Sequence, residues 1–345
     1  MPGKRSKLLL IYTGGTIGMI RENENGSLKA FNFDQLLSKI PEIKLLEHQI
    51  DTISFEQPID SSDFGILEYR KLAKIIYQNY DNYDGFVVLH GSDTMSYTSS
   101  VISFMFENLS KPIIFTGSQL PIGDLRTDAK ENLISSVQIA GLQYNNTPVI
   151  KEVGLYFEHK LFRANRTTKV NAEHFEAFSS PNYPALIQSG VNLNINHSAI
   201  MRVRKTLDLI LHEDLEDQIL LLKLFPGLSK KVFHALINIP TVKGIVLETF
   251  GSGNFKTDSW FIDGIRSKVN QSIPVINISQ CIGGKVEMGK YYTSERLQQA
   301  GVISGKDMTT ESAMAKMMYM LPKRLSMSVF KTIFETSVRG EIREG

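Results

Sequence analysis

The chain has 345 residues, 42% of them apolar, which is enough to fill two hydrophobic cores of ordinary domain size. Its 38 basic and 36 acidic residues nearly cancel, leaving a formal net charge of +2. Because no field of a single sign exists, the composition argues against nucleic acid or a membrane surface as partner. We therefore expect a two-domain protein that acts on a small polar molecule.

The single cysteine, Cys281, excludes an internal disulfide framework. The apolar run at residues 8–12 is too short for a secretory signal or a membrane span. Both features predict a cytoplasmic location. The seven histidines show no metal-ligand spacing, so we expect no metal site. We expect no organic cofactor either.

Short apolar, β-branched segments alternate with segments of helical periodicity, which is typical of a parallel α/β sheet. Strands are predicted at residues 8–13, 85–90 and 112–116. Apolar residues at helical spacing predict crossover helices over 62–80 and 94–108. The first part of the chain is therefore expected to form a doubly wound sheet.

A polar stretch without strong periodicity follows, and the α/β alternation then resumes with predicted strands at 218–225, 244–248 and 274–279. These features predict an α/β protein of two domains. The larger N-terminal domain spans 1–195, a linker spans 196–216, and a smaller C-terminal domain spans 217–345.

The end of the first strand carries a candidate nucleophile. In doubly wound sheets, ligands bind at the carboxyl ends of the strands, where loops point backbone N–H groups outward. The first strand ends in Thr13-Gly14-Gly15-Thr16, two hydroxyls around a glycine pair that lets a ligand approach the backbone. Thr16 is the candidate; the alternative is that the glycines only serve the turn and Thr16 caps it.

A second hydroxyl-bearing turn, Gly91-Ser92-Asp93-Thr94, follows the predicted strand at 85–90. Ser92 or Asp93 is equally suited to cap the next helix. Two such turns at neighbouring strand ends favour one shared crevice over two separate caps. The adjacent His90 has no partner at a telling spacing and is interpreted as a packing residue.

A threonine nucleophile needs a base, and neither a Ser-His-Asp arrangement nor a Gly-x-Ser-x-Gly elbow is present. Lys169 is the remaining candidate, because a lysine removed from water beside Ser92 can accept a proton. By composition alone Lys169 is a surface residue. The segment DSSD at residues 60–63 precedes a helix and is either a capping box or a pocket for the charged end of a ligand.

Residues 284–290 match most of a phosphate-binding loop. Tyr291, however, stands where a serine or threonine must hold magnesium. Nucleotide binding is therefore not favoured.

With these segments assembled, the chain resembles the bacterial type I L-asparaginases over essentially its whole length. The resemblance runs from TGGTIGM at 13–19 to TSVRGEI at 336–342. Between them lie DSSD at 60–63, YDGFVVLHGSDTM at 83–95, TGSQLP at 116–121, LRTD at 125–128, NRTTK at 165–169 and QCIGGKVEMG at 280–289. Two separated signatures in the right order are far more specific than one. The resemblance implies a two-domain asparaginase-like fold and self-association into a dimer or tetramer.

The resemblance also implies hydrolysis of the side-chain amide of L-asparagine to L-aspartate and ammonia. Thr16 would attack the amide carbon, and water would hydrolyse the resulting aspartyl ester. Ser92, Asp93 and Lys169 match the family's second triad, with Lys169 as proton acceptor and Asp93 also facing the α-ammonium. N–H groups near Gly15 and Ser92 would hold the oxyanion. The implied substrate-binding residues are Gly15, Asp60, Ser61, Ser62, Gly91 and Ser118.

Two departures from the family concern the nucleophiles. Ser92 stands where most relatives have threonine, which keeps the hydroxyl but loses the methyl that fixes its rotamer. The loop at residues 21–31 contains no tyrosine to cover Thr16, and Ser27 stands about where that tyrosine would align.

A third departure concerns regulation. Some type I enzymes bind a second asparagine at an effector site, where an arginine occupies the position of Glu248. An acidic side chain cannot pair with the carboxylate of an amino acid. Thr168 and Cys281 match other parts of that effector site, so together with Glu248 they predict a vestigial effector site.

Alternative functions remain open. A glutaminase-asparaginase, or the asparaginase-like subunit of a tRNA-dependent amidotransferase, shares the two threonine signatures. That subunit normally carries an extra N-terminal module, whereas this chain begins seven residues before its predicted first strand. A non-catalytic binder of asparagine or aspartate is a different class, against which Thr16, Asp93 and Lys169 argue.

Overall fold

The computed structural model describes residues 5–21, 28–30, 40–202, 207–256, 258–289 and 292–343. The chain divides into two compact units. The first runs to Ser180 and resumes over Pro184–Glu213, and the second comprises Pro181–Tyr183 and the chain from Asp214 onward. The domain bounds given above remain predictions.

The strands of the first unit are β1 (Lys7–Tyr12), β2 (Met19–Arg21), β3 (Leu28–Ala30), β4 (Gln49–Ser54), β5 (Gly85–Leu89), β6 (Phe106–Glu107), β7 (Ile113–Thr116), β8 (Gln143–Tyr144), β9 (Thr147–Pro148), β10 (Val153–Phe157), β11 (Lys160–Arg163), β12 (Thr168–Lys169), β13 (Phe178–Ser179), β14 (Ile187–Ser189), β15 (Leu193–Ile195) and β16 (Ile210–Leu211). The α-helices in its described part are α1 (Ile66–Asn79), α2 (Met95–Met105) and α3 (Ala129–Ala140). Short 3₁₀ turns occupy Thr16–Gly18, Pro41–Leu46, Ser61–Asp63, Tyr80–Asn82 and Ala164–Arg166.

An eight-stranded sheet, in the order β15-β14-β11-β10-β7-β5-β1-β4, forms the centre of the first unit. Strands β4, β1, β5, β7 and β10 are parallel, whereas the pairs β10–β11, β11–β14 and β14–β15 are antiparallel. The apolar runs of β1, β5 and β7 are almost completely buried, which is typical of strands covered on both faces. The three strands predicted here are confirmed, and the antiparallel half was not predicted.

The register of the parallel strands brings their carboxyl ends to one level. Tyr12, the last residue of β1, pairs with Leu89 of β5 and with Ser54 of β4. Leu89 pairs in turn with Thr116, the last residue of β7. The loops that leave these four strands therefore start side by side at one edge of the sheet.

Both predicted helices are present, but each is shorter than expected. Residues 61–63 form a separate 3₁₀ turn, and α1 begins after an extended Gly65, whose N–H donates to the Glu68 carboxylate at 2.9 Å. At the other helix, α2 ends at Met105 because β6 leaves it to pair with β16. That pairing involves residues of the stretch 196–216, which was expected to be a linker.

The second unit contains a four-stranded parallel sheet in the order β17-β18-β19-β20. Its strands are β17 (Ile219–Lys223), β18 (Gly244–Thr249), β19 (Val275–Ser279) and β20 (Ile303–Ser304). The helices of its described part are α4 (Lys230–Ile237), α5 (Ser259–Asn270), α6 (Tyr292–Gln299), α7 (Thr310–Met320) and α8 (Met327–Phe334). An apolar core joins β17, β18 and β19 to α4 and α5, and the three predicted strands of this part are confirmed.

The TSVRGEI tail is held in the second unit by a buried ion pair. Lys316 on α7 donates to the carboxylate of Glu341, and both side chains are fully buried. The Lys316 ammonium also donates to the carbonyl oxygens of Phe334 and Thr336, at 2.9 and 2.7 Å. This full set of partners is what a buried lysine requires. Across the described ranges, no helix is both long and apolar enough to span a membrane.

Candidate active site

Three loops at the edge of the first sheet lie in close contact through two glycines. A Cβ atom on Gly15 would lie 2.5 Å from the N and Cα atoms of Gly91, a distance that Cβ atoms do not tolerate. A Cβ atom on Gly91 would lie 2.7 Å from the Cβ and Oγ atoms of Ser61. Glycine alone allows this approach, so the loops after β1, β5 and β4 form one crevice.

Hydrogen bonds reinforce this contact. The N–H and the hydroxyl of Thr13 both donate to the carbonyl oxygen of Leu89, at 3.0 and 2.9 Å. The Ile59 N–H donates to the Thr13 carbonyl at 2.9 Å, and the Thr94 hydroxyl donates to the Ser61 carbonyl at 2.6 Å. The three loops are therefore fixed to one another before any ligand binds.

Thr16 begins a 3₁₀ turn at this crevice. Gly15 directly before it has φ 91° and ψ 169°, a backbone conformation that glycine adopts at low cost. Ile17 and Gly18 after it are buried, whereas Thr16 is partly exposed. The predicted nucleophile, Thr16, is therefore partly exposed on a turn whose next two residues are buried.

The structure brings Ser92, Asp93 and Lys169 together. The Lys169 ammonium lies 2.9 Å from the Ser92 Oγ atom and 2.6 Å from the Asp93 Oδ1 atom. The Lys169 side chain is 15% exposed, whereas the Asp93 side chain is 71% exposed. Because β12 and β13 form a short hairpin, Lys169 is positioned by a two-stranded element separate from the main sheet.

Gln119 is a residue that sequence reasoning missed. Its Nε2 atom donates to the carbonyl oxygens of Ala172 and His174, at 3.3 and 3.1 Å, so its Oε1 atom must be the one that faces Ser92. The Ser92 hydroxyl donates to this Oε1 atom at 3.0 Å. Ser92 therefore accepts from Lys169 and donates to Gln119. A glutamine after TGS carries no sequence signal for such a role.

Asp128 fixes the loop that carries Gln119. Its carboxylate accepts the N–H groups of Gln119 and Leu120, at 3.0 to 3.1 Å, and the side-chain amide of Asn132 at 3.2 Å. Burial raises the pKa of Asp128, and these hydrogen bonds oppose that rise. The LRTD segment thus supplies the anchor of the loop after β7.

The DSSD segment forms a capped turn rather than a capping box. Asp60 accepts the backbone N–H of Ser62 at 2.9 Å and its hydroxyl at 2.8 Å. The backbone hydrogen bond from Ser62, followed by that hydroxyl, lowers the pKa of Asp60. Ser61 is buried against Gly91, whereas Asp60 and Ser62 are exposed. Ser118 is buried and its hydroxyl donates to the Leu120 carbonyl at 2.6 Å.

Among the predicted effector residues, Thr168 lies next to Lys169 on β12, and Glu248 and Cys281 lie in the second unit. The Glu248 carboxylate accepts the Thr310 hydroxyl at 2.6 Å and lies 3.7 Å from the Lys223 ammonium. Cys281 is exposed.

Two other predictions fall partly or wholly outside the described residues. Ser27, at the expected place of a covering tyrosine, lies outside them. The segment 284–289 has no regular helix or strand, and Lys290 and Tyr291 lie outside the described residues.

At the ends of β1 and β5, the first unit therefore carries the hydroxyl groups of Thr16 and Ser92. Lys169 and Asp93 lie beside the Ser92 hydroxyl. This arrangement suits hydrolysis through a covalent intermediate on a side-chain oxygen. In the described parts of the chain, no group of three or more His, Cys, Asp or Glu side chains is suited to hold a metal ion. The fold and the site thus define a two-domain α/β hydrolase.

Comparison with known proteins specifies this class. Residues 7–201 match the family model "Asparaginase, N-terminal", and residues 218–334 match "Glutaminase/Asparaginase C-terminal domain". L-asparaginase 1 of Escherichia coli K12 is 37% identical over 98% of both chains. The crystal structure of L-asparaginase I from Vibrio cholerae superposes with a TM-score of 0.89 at 36% identity, covering 99% of this chain and 100% of that one.

A third relative is longer than this chain. The 60 kDa lysophospholipase of Mus musculus is 38% identical over 99% of this chain, which spans 63% of that protein. By these matches the chain belongs to the asparaginase family and is an enzyme of its type I L-asparaginase group. The resemblance inferred from the sequence is confirmed.

His90, next to the site, is a fully buried histidine. Its Nδ1 atom lies 2.7 Å from the carbonyl oxygen of Gly91. Burial lowers the pKa of His90 from 6.5 to about 4, although the bond to Gly91 opposes that change. The folded enzyme therefore holds this ring neutral at neutral pH.

This burial predicts an acid-sensitive stability. The unfolded chain takes up a proton on His90 as the pH falls below 6.5, whereas the folded chain does so only near 4. The free energy of unfolding therefore keeps the whole contribution of His90 above pH 6.5. It decreases by on the order of 3 kcal/mol as the pH falls toward 4. Urea unfolding from about pH 7 to about pH 4.5 should show a smaller pH dependence in His90→Asn than in the wild-type enzyme. Equal pH dependence in both would contradict the assignment.

Proposed function

We propose that this enzyme hydrolyses L-asparagine to L-aspartate and ammonia through an ester on Thr16. The observation that carries the proposal is that Lys169 contacts both Ser92 and Asp93, on a loop whose Gly91 backbone touches the Gly15-Thr16 turn. In this proposal the Thr16 hydroxyl attacks the amide, and the Ser92 hydroxyl, which is hydrogen-bonded to Lys169, transfers protons. Membership of the type I L-asparaginase group supports asparagine as the substrate.

In the first step, the Thr16 Oγ1 atom forms a bond to the side-chain amide carbon of asparagine, and its proton passes to a base in the crevice. The carbonyl oxygen becomes an oxyanion, which N–H groups near Gly15 and Ser92 stabilise. Collapse breaks the C–N bond, and the proton returns to the leaving nitrogen to release ammonia. Water then attacks the aspartyl ester, releasing L-aspartate and restoring the Thr16 hydroxyl.

Ser92 and Lys169 supply the proton path in this proposal. In the structure, the Ser92 hydroxyl donates to Gln119 and accepts from Lys169. When Lys169 is neutral, a turn of the Ser92 hydroxyl away from Gln119 lets it donate to the lysine nitrogen instead. The Asp93 carboxylate, 2.6 Å from that nitrogen, stabilises the ammonium that forms.

The amino-acid end of asparagine is proposed to bind at the rim of the crevice. Asp93 is the most suitable partner of the α-ammonium, since its carboxylate is largely exposed and already faces a cation. Asp60 is exposed, and its lowered pKa keeps it ionised to lower pH than an ordinary aspartate. Ser61, Ser62 and Ser118 are proposed to complete the binding residues.

Two further proposals concern the enzyme as a whole. Its subunits are proposed to associate into a dimer or tetramer, which light scattering would measure. The reaction is proposed to take place in the cytoplasm, an environment that suits a chain with one cysteine.

We predict that Thr16→Ala lowers kcat for asparagine by on the order of 10³-fold or more, since the nucleophile is lost. Thr16→Ser is the matched control and should keep measurable turnover, because it retains a hydroxyl group at the same position. Lys169→Met should be as severe as Thr16→Ala, since its aliphatic stem remains but its base is lost. The measurement is ammonia release, with unfolding midpoints to show that each variant is folded.

Turnover by Thr16→Ala within tenfold of the wild-type rate would reject the nucleophile. A wild-type protein that binds asparagine in a calorimeter but releases no ammonia would instead be a binder. Parallel assays with glutamine measure the side activity expected of a glutaminase-asparaginase.

We predict hyperbolic kinetics, because Glu248 cannot accept the carboxylate of a second asparagine. Its carboxylate already accepts the Thr310 hydroxyl and lies near Lys223, so the position is both acidic and occupied. Initial rates against asparagine concentration should give a Hill coefficient near one, whereas Glu248→Arg should raise it. A wild-type coefficient clearly above one, lost in Cys281→Ala, would show that the effector site still functions.

A further inference from the structure

His90 is the last residue before the loop that carries Ser92, and its ring packs among aromatic side chains. The ring centroid lies 4.4 Å from that of Phe64 and 6.1 Å from that of Phe115. The His90 N–H donates to the Thr116 carbonyl at 2.9 Å, which ties the residue to β7. Packing alone would be served as well by an apolar side chain, so the polar atoms of the ring need another explanation.

The hydrogen bond of His90 defines its tautomer. Its Nδ1 atom lies 2.7 Å from the Gly91 carbonyl oxygen, and a carbonyl oxygen can only accept. The hydrogen atom is therefore on Nδ1. The Nε2 atom is buried and has no hydrogen-bond partner among the residues that the structure describes. The ring thus donates from Nδ1 to Gly91 and leaves Nε2 buried without a partner. A buried unpaired nitrogen costs free energy, so we expect the bond to Gly91 to have a function.

The Gly91 carbonyl belongs to the same peptide group as the Ser92 N–H. In a trans peptide the C=O and N–H bonds point in opposite directions within one plane. A donor that holds the carbonyl oxygen from inside the protein therefore directs the N–H away from the interior. His90 is rigid enough for this task, because its backbone is paired with Thr116 and its ring is fully buried.

Contacts on the other atoms of this peptide leave it little freedom. The Cα atom of Gly91 packs against Gly15 on one side and Ser61 on another, at distances that admit no Cβ. Rotation of the peptide plane is the movement that these contacts do not block, and it is the movement that the His90 bond opposes.

We propose that His90 is a positioning residue for amide hydrolysis, which holds the Gly91–Ser92 peptide so that the Ser92 N–H donates to the oxyanion. The inference rests on the proposed asparagine hydrolysis. His90 touches neither substrate nor the reacting atoms. It acts through the orientation of a donor whose benefit appears only as negative charge develops on the oxygen.

Three substitutions separate positioning from packing. His90→Asn keeps a side-chain N–H close to the place of Nδ1, whereas His90→Gln carries its N–H near the place of Nε2. His90→Leu fills the space and has no donor. We expect kcat for asparagine to fall by roughly 10- to 100-fold in His90→Leu and His90→Gln, with KM changed by less than about threefold. His90→Asn should stay within about fivefold of the wild-type kcat.

Stability should follow a different order. His90→Leu removes a buried unpaired nitrogen, so its unfolding midpoint should equal or exceed that of His90→Asn. A packing role predicts that His90→Leu is the better variant in both activity and stability. Equal kcat in His90→Leu and His90→Asn would therefore overturn the proposal. Wild-type enzyme without ammonia release would overturn the proposed function as well, whereas normal wild-type turnover with an active His90→Leu overturns this inference alone.

The tautomer gives a second test, which is read from the wild-type enzyme. In wild-type enzyme labelled with ¹⁵N-histidine, we expect His90 at neutral pH to show a protonated Nδ1 and an unprotonated Nε2. Difference spectra against His90→Asn identify the signals. A proton on Nε2 with a bare Nδ1, or a charged ring at neutral pH, would overturn the proposal.

Discussion

The contact between the backbone of Gly15 and that of Gly91 is the constraint on which the rest of the site depends. It joins the loops that follow two neighbouring parallel strands at a distance that excludes any side chain. The residues that follow, Thr16 and Ser92, are thereby held on the walls of one crevice. A nucleophile and a proton path that belong to one reaction need such fixed geometry, because small misplacements are costly in rate.

Hydrogen bonds extend this constraint from the backbone to the reacting groups. Asp128 holds the backbone of Gln119, Gln119 orients the Ser92 hydroxyl, and Ser92 meets Lys169. The direction of each bond is set by the chemistry of its atoms, since the Gln119 amide nitrogen is bound to carbonyl oxygens. The site therefore holds the Ser92 hydroxyl in a defined orientation, from which one rotation leads to proton transfer.

The parts of this arrangement that sequence could predict are those encoded by local patterns. The strands ending at Tyr12, Leu89 and Thr116 are short apolar runs followed by glycine or polar residues, so their place was evident. Parallel pairing then put Thr16 and Ser92 at one edge. Lys169 was reached by elimination and by resemblance, and the structure places its ammonium beside Ser92.

The remaining parts depend on contacts between distant segments. The role of Gln119 needs the carbonyl groups of the loop after β12, which no local pattern specifies. The early end of α2 depends on β16, about a hundred residues later in the chain. His90 looked like a packing residue because its bond to Gly91 is a property of the folded loop rather than of residue spacing.

Substitution of Gly15 tests the central constraint most directly. Gly15→Ala would place its Cβ atom 2.5 Å from the N and Cα atoms of Gly91. The matched control is Gly227→Ala, because Gly227 has a similar positive φ, 98° against 91°, but open space around its Cβ position. The measurement is kcat/KM for asparagine in folded protein. We expect Gly15→Ala to lose at least about 100-fold while Gly227→Ala stays near wild type. Wild-type kcat/KM in Gly15→Ala would contradict the account.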